Sequence, residues 1–205
     1  AQALDAAPVA DPSGAAPEPA PTDLVLIERR GPSPAKAVAK GTAKPASSLT
    51  DEQDRTLNPA AICTLRADGI KEIEQHLYSP HGSIFRFLSE EAPPAGGSGR
   101  APDAVSYISA GIGFCFMTQF GRMASMEKLD LPHYSIVQDT HFSLGGGSGG
   151  TGRAGEADPV ETHVHLHTRE DDDVARDMLD VSERTCFLHA FCRTDLKTKL
   201  KVTRT

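Results

Sequence analysis

Two cysteines in apolar surroundings are the residues of this chain best suited to covalent chemistry. Cys115 lies at the centre of SAGIGFCFMTQFGRMASM (109–126), and Cys186 lies in TCFLHAFC, 71 residues later. A thiolate is a nucleophile and a metal ligand, whereas a thiol sealed in hydrocarbon is neither, so either cysteine needs a cationic neighbour before it can react. Taken singly, each reads first as a small packed hydrophobe. His189 stands three residues from both Cys186 and Cys192 and can reach either on a helix, although a packed imidazole is the commoner role. A further cluster is VETHVHLHT (160–168), where Glu161, His163, His165 and His167 fall on one face of a strand. Imidazoles and a carboxylate are ligand types for a transition metal. Same-face neighbours on one strand stand about 7 Å apart, however, which favours a solvated polar face.

The glycine-rich run GGGSGGTGRAG (145–155) contains a formal GxGxxG match, Gly147 to Gly152. A phosphate cradle of that kind must lead into a helix, and here Asp158-Pro159 and an alternating strand follow, so the run is a strand connection.

The elements that must position these groups follow from hydropathy. A helix over 109–126 would put Ile108, Ile112, Cys115, Phe116, Gln119 and Met123 on one face, with Phe114, Met117 and Phe120 making the remainder apolar. Such a helix belongs inside a protein, and Gln119 and Arg122 interrupt it before it reaches bilayer length. Asp103, following Pro102, is its candidate N-cap. Upstream, 70–78 and 83–89 read as a hairpin through Ser79-Pro80-His81-Gly82, with Ile84, Arg86 and Leu88 on one face. Downstream, 133–144 and 160–168 read as strands. Residues 171–180 begin a helix with three aspartates at its start and Val174, Met178 and Val181 as its core stripe. Residues 196–202 (LKTKLKV) alternate as an edge strand guarded by Lys197, Lys199 and Lys201. The Ala/Pro-rich residues 1–22 read as a disordered tail and 23–61 as a linker with a short strand near its start, leaving 62–205 as the folded domain.

A 205-residue chain suits one domain with an appendage. A net charge of −7 and a pI near 5.6 argue against nucleic acid or an anionic membrane as the partner, since both need a basic face. Four cysteines without a CxxC pair suit neither a disulfide-stapled module nor a zinc knuckle, and reduced thiols in a cytosol fit best. The chain begins at Ala1, which is compatible with loss of an initiator or of an export signal.

The order of hairpin, long buried helix with a cysteine, strands, helix with a second cysteine and final strand resembles the OsmC/Ohr family of thiol peroxidases. The resemblance is carried by SAGIGFCFMTQ, SERTCFLHAFCRTDLKTKLKV and FRFLSEEAPPAGGSGRAP, over roughly residues 65–205. It implies an α+β fold in which antiparallel sheets wrap around two central helices in an intertwined homodimer, with sites at the subunit interface. It further implies that Cys115 attacks an organic hydroperoxide and that Cys186 resolves the resulting sulfenic acid as a disulfide. A dithiol, lipoyl-protein in some members, then reduces that disulfide without a cofactor. In the family a glutamate about ten residues before the first cysteine clamps an activating arginine. Here Val105 holds that place, Asp103 is the nearest acid, and Arg66 and Arg86 are the candidate arginines. Phe187 follows the second cysteine, where proline is common. The expected site is therefore Cys115, Cys186, Arg86 and Asp103 in a cytoplasmic enzyme. Two alternatives stand beside it. One is a relative that binds a ligand or metal through His163, His165 and His167, or through Cys186, His189 and Cys192. The other is a structural part of a larger assembly tethered by the tail.

Overall fold

The computed structural model describes residues 24–34, 58–77, 82–143 and 155–204. The expected tail, the glycine-rich run and most of the hairpin turn lie outside them. Among the described residues eight strands and three α-helices follow in order, with one 3-10 turn at Pro93–Ala95: β1 (Ile27–Pro32), β2 (Pro59–Leu65), β3 (Lys71–Leu77), β4 (Ser83–Ser89), α1 (Ala104–Glu127), β5 (His133–Asp139), β6 (Phe142–Ser143), β7 (Glu156–Ala157), β8 (Glu161–His167), α2 (Asp172–Thr185) and α3 (Phe187–Arg193). The fold is α+β with antiparallel pairing throughout.

β1 to β4 form one sheet in the order β1-β4-β3-β2. The hairpin expected from the sequence is β3–β4, with Ile73 opposite Phe87 and Glu74 opposite Arg86. The short strand near the start of the described chain pairs with β4, so the sheet includes residues well before Ile62.

α1 forms because its apolar run is free of proline and its first turn is capped: Asp103 accepts from the Ser106 N–H at 2.7 Å. It ends at Lys128, whose left-handed backbone (φ 56°) lets its N–H bond the Ala124 carbonyl. One face is buried, through Ile112, Phe116, Gln119, Phe120 and Ala124, but Phe114 is 69 % exposed. The helix is thus apolar all round, yet the described residues cover only one side of it.

β5 and β8 make a two-stranded ribbon whose alternation matches the sequence pattern. Tyr134, Ile136, Val164 and Leu166 face the core, and His163, His165 and His167 face outward. The strand read over 133–144 breaks after Asp139, and Phe142–Ser143 pairs separately with β7. α2 begins after Asp171 with Asp172 and Asp173 in its first turn, where the helix dipole favours them. Its buried residues are Met178 and Ser182; Val174, expected in the core stripe, is 39 % exposed because the inward face is rotated toward Ala175 and Leu179. The edge strand expected over 196–202 does not form: the segment has no regular structure, and Leu200 and Val202 are 95 % and 91 % exposed. Alternation supplies a strand's faces, but a strand also needs a neighbour for its backbone, and none of the described strands lies beside it.

Candidate redox site

α1, α2 and α3 meet around the two thiols anticipated from the sequence. Cys115 sits mid-way along α1, half-buried, and Cys186 is fully buried at the corner where α2 stops and α3 starts. That corner exists because Cys186 leaves the helical conformation (φ −74°, ψ 121°) while its N–H still bonds the Glu183 carbonyl at 3.2 Å. α3 then lies close against α1, and Gly111 marks the approach. A Cβ there would meet the end of the Leu188 side chain at 3.4 Å, an ordinary van der Waals contact that shows how closely the two helices approach.

The two thiols pack into one apolar cluster and divide their roles. The neighbouring Cys186 thiol, with the Leu188 and Phe187 amides and the charge of Arg122, brings the Cys115 thiol down to about 6 against the opposing effect of burial. The same contact, reinforced by burial, pushes Cys186 well above the ordinary thiol range. Of the pair, Cys115, the less buried, is thus the one biased toward the thiolate.

Gln119 braces the arrangement. Its Nε2 donates to the Thr185 carbonyl at 2.8 Å, one residue before Cys186, and its Oε1 accepts from Arg122 at 3.2 Å. One buried amide thus ties the cation to the corner that carries the second thiol.

The other residues expected at the site lie elsewhere in the chain. Arg86 is in β4, where it pairs with Glu28 at 3.0 Å and Glu72 at 3.5 Å. Arg66 pairs with Asp68 at 3.1 Å and Glu72 at 3.9 Å. The carboxylate of Asp103 is engaged in capping α1. A glutamate–arginine clamp does exist, but between Glu90 and Arg100, at 2.6 Å. Glu90 also accepts from the Arg100 N–H at 2.9 Å and from Ser98, and these bonds hold its carboxyl down at about 2. Among the described residues, Arg122 is the cation that acts on Cys115. Arg122 was legible only as an interruption of an apolar helix; its spacing of seven from Cys115, two turns along the same face, is the signal that could have assigned it.

His189 is buried in α3, its ring 5.2 Å from that of Phe116. Cys192 is exposed at the end of α3 and lines a cavity of about 430 Å³ with Ile108, Ile112 and Phe191. Partial burial raises its thiol, with Arg193 opposing. On the ribbon, His163 pairs with Asp139 at 3.4 Å and Glu161 at 3.6 Å. Among the described residues no three His, Cys, Asp or Glu side chains converge as a metal centre requires. No described helix is long and apolar enough to cross a membrane.

Comparison with known proteins places this arrangement. A solved OsmC-like protein from Mycoplasma pneumoniae is 12 % identical, with a TM-score of 0.52 over 70 % of this chain and 91 % of its own. An organic hydroperoxide resistance protein OsmC from Legionella pneumophila is 15 % identical over 69 % of this chain and 92 % of its own, at a TM-score of 0.47. An OsmC-like hydroperoxide resistance protein from Jannaschia sp. ccs1 is 17 % identical over 72 % and 93 %, at a TM-score of 0.45. No curated protein sequence matches. The model of one family, described as OsmC-like protein, matches residues 96–201, which run from the loop before α1 through both thiols and past α3. Since that match takes in just over half of its 205 residues, the chain belongs to the OsmC-like protein family.

Proposed function

We propose that the chain is a thiol-dependent peroxidase that reduces organic hydroperoxides, with Cys115 as nucleophile and Cys186 as resolving thiol. The observation that carries this reading is that two cysteines 71 residues apart pack into one cluster, with the Cys115 thiol lowered and the Cys186 thiol raised. The Cys115 thiolate attacks the terminal oxygen of ROOH, the S–O bond forms as the O–O bond breaks, and the leaving alkoxide takes a proton to become ROH. Arg122 and the Phe187 and Leu188 amides keep Cys115 ionised for that step. Cys186 then displaces hydroxide from the sulfenic acid. A disulfide forms, and the hydroxide leaves as water with the Cys186 proton. An external dithiol restores both thiols by two exchanges and is itself oxidised.

In this reading the working unit is a homodimer. The support is apolar surface that one chain leaves open: Val105, Phe114 and Met117 on the outer side of α1 beside a groove of about 590 Å³, together with the unpaired alternating segment 196–202.

The test is stoichiometric cumene hydroperoxide followed by peptide mass spectrometry. A Cys115–Cys186 disulfide is expected, absent in Cys115→Ser. Free thiols at both positions after treatment would end the peroxidase reading.

A further inference from the structure

α3 has only seven residues, lacks a side-chain cap at its start, and leaves Phe187 and Phe191 51 % and 44 % exposed. Its one buried residue is His189. Yet this helix starts at Cys186 and packs Leu188 into the cluster that holds Cys115, close against Gly111 of α1, and the amides of its first turn are among the groups that lower the Cys115 thiol. Whatever fixes that turn fixes the thiolate.

The polar contacts of the His189 ring identify the fixing group. Its Nε2 lies 3.1 Å from Thr162 Oγ1 on β8, and the same hydroxyl lies 2.7 Å from Gln138 Oε1 on β5. The Gln138 amide is oriented by its Nε2, which donates to the Glu161 carbonyl at 3.0 Å, so its oxygen must accept from Thr162. A hydroxyl has a single hydrogen. Thr162 therefore accepts from His189, which sets the ring as the Nε2–H tautomer. Nδ1 is left as a buried acceptor with no hydrogen-bond partner among the described residues, and burial keeps the ring neutral.

We propose that His189 is a positioning residue: by donating Nε2–H to Thr162 it pins the first turn of α3 to the β5–β8 ribbon and so aims the Phe187 and Leu188 amides at Cys115. This rests on the reading of Cys115 as a reactive thiolate, and it is tested apart from peroxidase turnover.

The measurement is the pH dependence of iodoacetamide alkylation at Cys115, followed by peptide mass spectrometry so that Cys63 and Cys192 do not contribute. His189→Phe keeps a ring against Phe116 but has no donor; an upward move of the midpoint by about one unit would slow alkylation at pH 6 about fivefold. Thr162→Val removes the other end of the same bond and should slow it equally, with the double variant no slower than either single one. His189→Gln, whose amide N–H can take the place of Nε2–H, should recover most of the rate. Unchanged midpoints in folded His189→Phe and Thr162→Val would overturn the assignment, as would a Gln variant as slow as Phe. A wild-type midpoint in the ordinary thiol range would remove the thiolate reading itself, and the assignment with it.

Discussion

Phe116, Phe120, Met178 and Cys186 are each at most 2 % exposed where the three helices meet, whereas β2, at the edge of the four-stranded sheet, is exposed along its whole length, with Leu65 at 74 % and Ile62 at 56 %. The two regions belong to one chain and are both apolar, so composition does not separate them. Connectivity does. α2 and α3 fold back directly onto one face of α1, and the ribbon packs Tyr134, Ile136, Val164 and Leu166 against the same core. The sheet meets α1 mainly near its start, where the Tyr107 hydroxyl donates to the Leu88 carbonyl at 2.8 Å and the Tyr107 ring stands edge-on to Phe87. Among the described residues, then, the helices bury one face of α1 against one another, while β2 and the outer side of α1, where Phe114 is 69 % exposed, stay open; in our proposal a second copy covers both.

The sharpest way to break that contrast is by truncation. Phe120→Ala should cost roughly 3–5 kcal/mol in urea unfolding, because it opens a cavity in a closed core. Leu65→Ala should cost less than about 0.5 kcal/mol in the isolated chain. Leu65→Asp, in contrast, should shift sedimentation from dimer toward monomer; sedimentation like the wild type would mean that no second copy covers β2.

An intermediate effect is expected at the junction of the two regions, where Glu90 and Arg100 are paired. With its folded carboxyl at about 2 against an ordinary 4.5, Glu90 contributes stability above the ordinary value, and that contribution disappears as pH falls from 4.5 toward 2. Glu90→Gln should thus be less stable than the wild type at neutral pH, and the gap should close over that acid window. A gap that persisted at pH 2 would locate its cause in packing. The smallest effect is expected at Cys192→Ser, which should leave hydroperoxide turnover nearly unchanged; a loss matching that of Cys186→Ser would mean that the resolving thiol has been misassigned.

What could be read from the sequence was whatever depends on local pattern. The cap at Asp103, the long helix, the β3–β4 hairpin and the alternating histidine strand all follow from spacing and turn chemistry. What escaped depends on neighbours distant in the chain. The 196–202 segment carries a strand pattern without a strand, since no strand among the described residues pairs with it. The inward face of α2 is set by packing on α1, which moves Val174 outward. Glu90 and Arg100 are joined across a breaker-rich loop whose path depends on Gly97: a Cβ there would lie 1.6 Å from the Glu91 carbonyl oxygen, so only glycine fits. At the site, the cysteines announced themselves by type, but Arg122 and the amides of α3 acquire meaning only once the helices are packed.

The break between α2 and α3 also settles where mechanical freedom resides. Cys115 is held in the interior of an unbroken 24-residue rod, with main-chain bonds on both sides of it, and cannot travel without snapping them. Cys186 stands on a joint. Closing a sulfur–sulfur bond of about 2 Å from a thiol contact demands some displacement, so in a disulfide-forming cycle α1 is the anvil and the joint supplies the stroke.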